Sequence, residues 1–330
     1  MNEELLRRAL EARAERVGVQ PDALGTIRTR IAGRRRDRWR LGVGLSSTAV
    51  TLVTAAVVGF VSCGPPAVPP PNPPASPSDG PTGGPTAAPG SSGRVPVYYA
   101  GPELTLYREF RSVTLPSDTL PERIRAGVGQ VLLGGPLDGD YRSLWPSGAG
   151  VRSVTLEGAV AVVDLAGAST NSVGAAAAEA AVQQMVWTIT AVAADRGTQL
   201  QGVRLRFDGA PAPNLWGHVA AAGTLVRAPA LDTLADVWLI SPEAGDVVSG
   251  TFDVHVDGAV VEGAVQLRVR DSAGREIRQQ PVQLSEGAPA RGEAHVSLTL
   301  PPGSYTLEAY AISPRDGTEQ SLDDHPITVR

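Results

Sequence analysis

VRSVTLEGAVAVVDLAGASTNSVGAAAAEAAVQQMVWTITAVAADRGTQLQGVRLRF, residues 151–207, decides the fold of the first folded part of this 330-residue chain. Residues 151–156 and 159–165 read as two strands joined near Glu157-Gly158, the mark of a hairpin. A helix follows from about 172 to 194. The run Ala175 to Ala178 is strongly helix-forming, and Val182, Met185, Val186, Ile189 and Ala193 fall on one stripe. Residues 202–207 return to period two: Val203, Leu205 and Phe207 face one way, Arg204 and Arg206 the other. That pattern predicts a sheet with one covered face and one wetter face.

Working outward toward the N-terminus, residues 95–100 read as a strand and 104–113 as a weaker one. Pro121 suits the first turn of a helix whose apolar face is Ile124, Val128, Val131 and Leu132. Gly134-Gly135-Pro136 stops it. The order β(β)-α-β-β-α-β predicts a small α+β sandwich over 94–210, with two helices on one side of a sheet. The segments VPVYYAG, VTL…VVDL, QMVWTITAVA and VRLRFDG resemble the GerMN domain of bacterial sporulation and spore-germination proteins. That resemblance implies an extracytoplasmic, often membrane-anchored module. It brings no catalytic residue to this chain.

Residues 211–235 form a connector in which Leu215 and Trp216 are expected to pack on the preceding domain. Residues 236–330 read as all-β. Strands are expected at 237–240, 250–256, 264–270, 278–283, 293–300, 304–312 and 326–330, separated by Pro- and Gly-rich turns. Seven short strands in so few residues predict an immunoglobulin-like sandwich. The segments ISPEAGDVVSGTFDVHVDG, VVEGAVQLRVRDSAGREI and YTLEAYAISPRDG resemble the immunoglobulin-like domain of spore-germination proteins. That domain commonly follows a GerMN domain. Val261 stands where the family usually has Phe, a conservative change for packing.

Upstream the composition changes. Residues 64–93 hold 11 Pro and 6 Gly, so the 63–93 segment is expected to be a disordered linker. In polyproline II it would reach on the order of 90 Å. Residues 41–62 carry no charge and, as a helix, would span roughly 33 Å, enough for a bilayer core. Arg34, Arg35, Arg36, Arg38 and Arg40 precede this run, and the first charge after it is Asp79. Arginine stays on the cytoplasmic side. The expectation is therefore a single-pass membrane protein with its N-terminus inside and residues 64–330 outside. A cleaved signal peptide fits less well, because 40 residues precede the run and the run itself is 22 long. Cys63 is the only cysteine and excludes an intramolecular disulfide. Phe60-Val61-Ser62-Cys63 loosely resembles a lipobox, which makes Cys63 the one candidate for lipid attachment.

The chain's charge of −5 hides an asymmetry: 11 Arg against six acids give +5 in residues 1–40, and the remainder carries −10. Leu6, Leu10, Ala14 and Val17, then Leu24, Ile27 and Ile31, suggest two short amphipathic helices in that cytoplasmic tail. Membrane-tethered regulators of sigma factors can begin this way. The alternative to a pure scaffold is thus a signalling protein whose tail engages such a regulator.

No catalytic constellation stands out, and the chain reads as a non-enzyme without cofactor. His218, His255, His295 and His325 show no metal-ligand spacing. His255 and His295 lie opposite the apolar set of their strands, which suits exposed positions. Asp138 and Asp140 are candidate cation ligands but better read as turn formers. Asp246, Asp253, Asp257 and Glu262 are expected on solvated surface. The outer acidic balance argues against nucleic acid. The expected partners are the membrane and an envelope protein or wall polymer.

Overall fold

The computed structural model describes residues 91–330. The expected tail at 1–40, the apolar run at 41–62, Cys63 and the linker up to residue 90 lie outside the described residues. Residues 91–93, expected in the linker, instead begin strand β1 (Ser91–Ala100), because the facing strand β2 (Leu106–Leu115) is long enough to pair with them. The two run antiparallel from Ser91 opposite Leu115 to Ala100 opposite Leu106.

Helix α1 (Leu120–Gly129) places Pro121 in its first turn and continues as a π-turn through Gln130–Gly134. Ile124, Val128, Val131 and Leu132 are all buried, as their spacing predicts. Gly135, at φ +61°, ends the segment in a conformation that suits glycine. Strands β3 (Gly150–Glu157) and β4 (Val160–Ala166) form the expected hairpin over Gly158-Ala159, with Gly158 at φ +61°. Helix α2 (Ala175–Ala194) then carries the chain across to β5 (Gly202–Phe207), which lies parallel to β4. A parallel pair needs such a crossover. Val203, Leu205 and Phe207 are buried, while Arg204 is half-exposed and Arg206 exposed.

One expectation is corrected. The strands do not make a single sheet with both helices on one side. β1 and β2 form their own ladder, and β3, β4, β5 and the short β6 (Ala210–Pro211) form another. α1 packs on β1, β2 and β3, and α2 packs on β1 and β5. The cause lies at the free edge of β1. There the Thr188 hydroxyl of α2 accepts the Tyr98 N–H at 3.0 Å, so a helix closes the edge where a strand would otherwise add.

α2 has buried residues all round it and buries polar groups too. Gln184 Oε1 accepts the Leu144 N–H at 3.1 Å, and Trp145 Nε1 donates to the Ala181 carbonyl at 3.1 Å. These bonds mark it as a core helix tied to its neighbours. Among the described residues no helix is long and apolar enough to cross a membrane.

The connector contains β7 (Asn214–Leu215), β8 (Val219–Ala220) and a helical turn, α3 (Ala230–Thr233). Leu215 is fully buried, and Trp216 donates its indole N–H to the Ala168 carbonyl at 2.9 Å. Both pack on the first domain, as expected.

The C-terminal sandwich has a three-stranded sheet ordered β14 (Gly292–Thr299), β11 (Thr251–Gly258) and β9 (Val237–Ser241). Its five-stranded partner runs β10 (Val247–Val248), β16 (Glu319–Val329), β15 (Gly303–Ile312), β12 (Ala264–Asp271) and β13 (Glu276–Gln283). All seven expected strands are present. The last begins at Glu319 rather than 326, because β15 is long enough to pair with the polar residues ahead of Pro326.

Strand β9 joins the two domains. Its period-two alternation sends Val237 and Leu239 into the sandwich core, while Trp238 and Ile240 enter the core of the first domain. One five-residue strand therefore serves both cores.

Candidate functional site

Around β9 the two domains meet in a seam that buries charge. The first domain supplies Glu109 from β2, Asp138 from the loop after α1, and Tyr141. The second supplies Glu243 after β9, and Asp323 and His325 from β16. All six are buried; Glu109 and His325 are each 1% exposed. Period two explains the last pair. Asp323 and His325 share the inward row of β16 with Ile327 and Val329, so the pleat that buries the aliphatics buries them.

Each acid has named partners. Glu109 accepts the backbone N–H groups of Leu137 at 2.8 Å and Asp138 at 3.1 Å, and pairs with Arg111 at 3.0 Å. Glu243 Oε1 accepts the Phe110 N–H at 2.6 Å and stands 3.7 Å from the Arg94 guanidinium, while its Oε2 is buried without a partner. Tyr141 donates its hydroxyl to Asp323 Oδ1, and the Leu239 N–H donates to Asp323 Oδ2 at 2.7 Å. Tyr141 also stacks on Tyr107 at 4.5 Å between ring centres, and Tyr107 lies 6.4 Å from Trp238.

Burial sets the protonation of this group. It pushes the Glu243 carboxyl up to about 7 and the Asp323 carboxyl up to about 6. It raises Asp138 as well, and it lifts the Tyr141 phenol well above its ordinary value with help from the Asp323 charge. The arrangement holds two domains together through charged hydrogen bonds.

A second histidine cluster sits on the outer face of the three-stranded sheet. His255 and His295 are directly opposite across β11 and β14, with their rings stacked at 4.1 Å. His255 Nε2 lies 3.0 Å from Glu293, and His295 Nδ1 lies 2.5 Å from Asp253. Their outward placement agrees with the period-two reading, although spacing did not reveal that the two would touch. His218 is exposed.

Asp138 forms a turn as expected, its Oδ1 accepting the Asp140 N–H at 2.8 Å, but it is buried and faces His325. Asp140 is exposed. Asp246, Asp253 and Glu262 are on the surface. Asp257 is not: it is buried in the seam, bonded by Arg291 Nε. The Arg291 guanidinium also lies 4.1 Å from the Trp238 ring centre, so burial of the arginine draws the carboxylate in with it. The sequence reading missed Glu109, Glu243 and Asp323 as buried groups. The one available signal was their position on the inward parity of an amphipathic strand or just beyond it.

Residues 96–213 match the family described as sporulation and spore germination, and residues 236–318 match the immunoglobulin-like domain of bacterial spore germination. Among solved structures, the chain is similar to the first GerMN domain of the sporulation protein GerM from Bacillus subtilis. Identity there is 16% and the TM-score 0.32, over 41% of this chain and 96% of that one. It is similar to the tandem GerMN domains of the same protein at 14% identity and a TM-score of 0.34, over 63% of this chain and 62% of that one. No curated protein matches the chain. The chain carries a GerMN domain of the sporulation and spore-germination family, followed by the immunoglobulin-like domain of bacterial spore germination.

Proposed function

We propose that this protein is a non-catalytic binding or scaffold component of the bacterial cell envelope, held at the outer face of the membrane by residues 41–62. The observation that carries the reading is the shared strand β9. A strand serving two cores makes one bearing surface out of two domains, which suits a protein that holds partners in place. Two surface hollows, of about 380 Å³ beside Tyr305 and Ile327 and about 300 Å³ beside Thr190 and Arg227, are open to solvent. The arginine-flanked apolar run and the Pro-rich tether support an outward-facing head.

The test uses the full chain in its native membrane. Protease added to intact cells stripped of wall should remove the folded head and leave the N-terminal tail protected. Cross-linking in the same cells, followed by recovery of the chain, should enrich one envelope protein or peptidoglycan. A chain found in the soluble fraction, or one that enriches neither, overturns the proposal.

A further inference from the structure

Asp138, Asp323 and His325 come together from both domains at the centre of the seam. The His325 Nδ1 lies 2.7 Å from the Pro242 carbonyl. A carbonyl only accepts, so Nδ1 carries the proton and donates it. The other nitrogen, Nε2, is turned away from that carbonyl. It points between two carboxylates, with Asp138 Oδ2 at 3.8 Å and Asp323 Oδ2 at 3.9 Å, both too long for a hydrogen bond. The three donor atoms all lie within 4.8 Å of one another.

We propose that Asp138, Asp323 and His325 bind one divalent transition-metal ion, of the Zn²⁺ or Mn²⁺ kind, which joins the GerMN domain to the immunoglobulin-like domain. One imidazole with two carboxylates is a donor set for such ions. The orienting contacts are those a metal ligand needs. The Pro242 carbonyl sets the imidazole tautomer. The Asp140 N–H holds Asp138 Oδ1, leaving Oδ2 toward the cluster. The Tyr141 hydroxyl and Leu239 N–H hold Asp323. Ligand atoms at about 2.0–2.2 Å from an ion stand roughly 3.3 Å apart, so an inward movement of well under 1 Å suffices.

Charge supports the same reading. Glu109 and Glu243 have Arg111 and Arg94 beside them, but among the described residues no arginine pairs with Asp138 or Asp323. Asp140 and Asp324 lie nearby and add negative charge. Two buried carboxylates facing one imidazole are costly without a cation, and a divalent ion offsets them.

The purified full-length chain is stripped with chelator, then titrated separately with Zn²⁺ and Mn²⁺. Bound metal is counted after desalting, and thermal unfolding is followed. The expected result is one retained equivalent of one ion and a midpoint raised by about 5–10 °C at a hundredfold excess over Kd. Asp138→Asn and His325→Gln should abolish both, and His295→Gln should change neither. An equivalent that survives His325→Gln, or that His295→Gln removes, overturns the proposal and places the ion on the exposed histidine pair. So does a wild-type chain that keeps neither ion and shows no shift. Should His325→Gln fail to fold, His295→Gln loaded with Co²⁺ decides: a visible spectrum distinct from that of the aqueous ion supports the site, and the spectrum of the aqueous ion overturns it.

Discussion

His325 and the pair His255 and His295 sit on strands of one sandwich, each beside carboxylates, yet they lead different lives. His325 faces inward, 1% exposed, on a seam where water is shut out and a polar atom gains only the partners the protein supplies. His255 and His295 face outward, where water completes whatever the neighbours leave undone. Residue type does not separate the two sites; the parity of a strand position does. The inward site adds the cost of desolvation to every charge and therefore couples the domains. The outward site is an ordinary cross-strand contact, of the kind that contributes a few tenths to about 1 kcal/mol.

The largest expected effect falls on the strand that makes the seam. Trp238 is 2% exposed, fills the first core from a strand of the second domain, and lies under the Arg291 guanidinium. Trp238→Ala should cost about 3–5 kcal/mol, the usual price of deleting a large buried ring. It should also split one unfolding transition into two, because the shared core is what couples the domains. Calorimetry on wild type and variant checks this. A single transition in the variant would show that the coupling lies in the polar seam rather than in the aromatic plug.

Next in size is the pH dependence of Glu243. Burial raises its carboxyl in the folded protein to about 7, against an ordinary value of 4.5. A raised value means the folded state holds the proton more tightly than the unfolded state. The stability tied to that proton is complete below about pH 4.5 and is lost as pH rises through 7. Glu243→Gln keeps an oxygen for the Phe110 N–H and never ionises. The stability difference between variant and wild type should therefore move in the variant's favour by on the order of 3 kcal/mol between pH 4 and pH 8. Denaturant midpoints across that range read it out. A constant difference would show that the carboxylate stays ionised in the fold.

Much of this architecture was legible because apolar period and turn chemistry agree. Val203, Leu205 and Phe207 announced a strand, Gly158 its neighbouring hairpin, and Met185 and Ile189 a buried helix face. The failures share a cause. Asp323, Asp324 and His325 lie ahead of the strand expected at 326–330, yet they pair with β15, and hydrogen bonds to a neighbour do not show in hydropathy. Asp257 read as surface because its partner Arg291 lies 34 positions away. At the edge of β1 the Thr188 hydroxyl takes the Tyr98 N–H, and a helical wheel records Thr188 only as a small polar residue. Trp238 was assigned to the second domain with the rest of β9, and nothing local indicates that alternate residues of one strand enter different cores. In each case the missing information is the identity of a distant partner.

The smallest effect is expected on the outward face. His295 stacks on His255 and meets Asp253, but its side chain and that of Asp253 are both more than half exposed. Solvent screens such pairs, so His295→Ala should cost less than about 1 kcal/mol and leave one unfolding transition. The contrast with Trp238→Ala is the substance of the comparison, since both residues lie in the same three-stranded sheet. If His295→Ala were as damaging as a seam variant, parity alone would not explain what separates the two sites. The outer histidine pair would then have to be doing structural work that its exposure does not suggest.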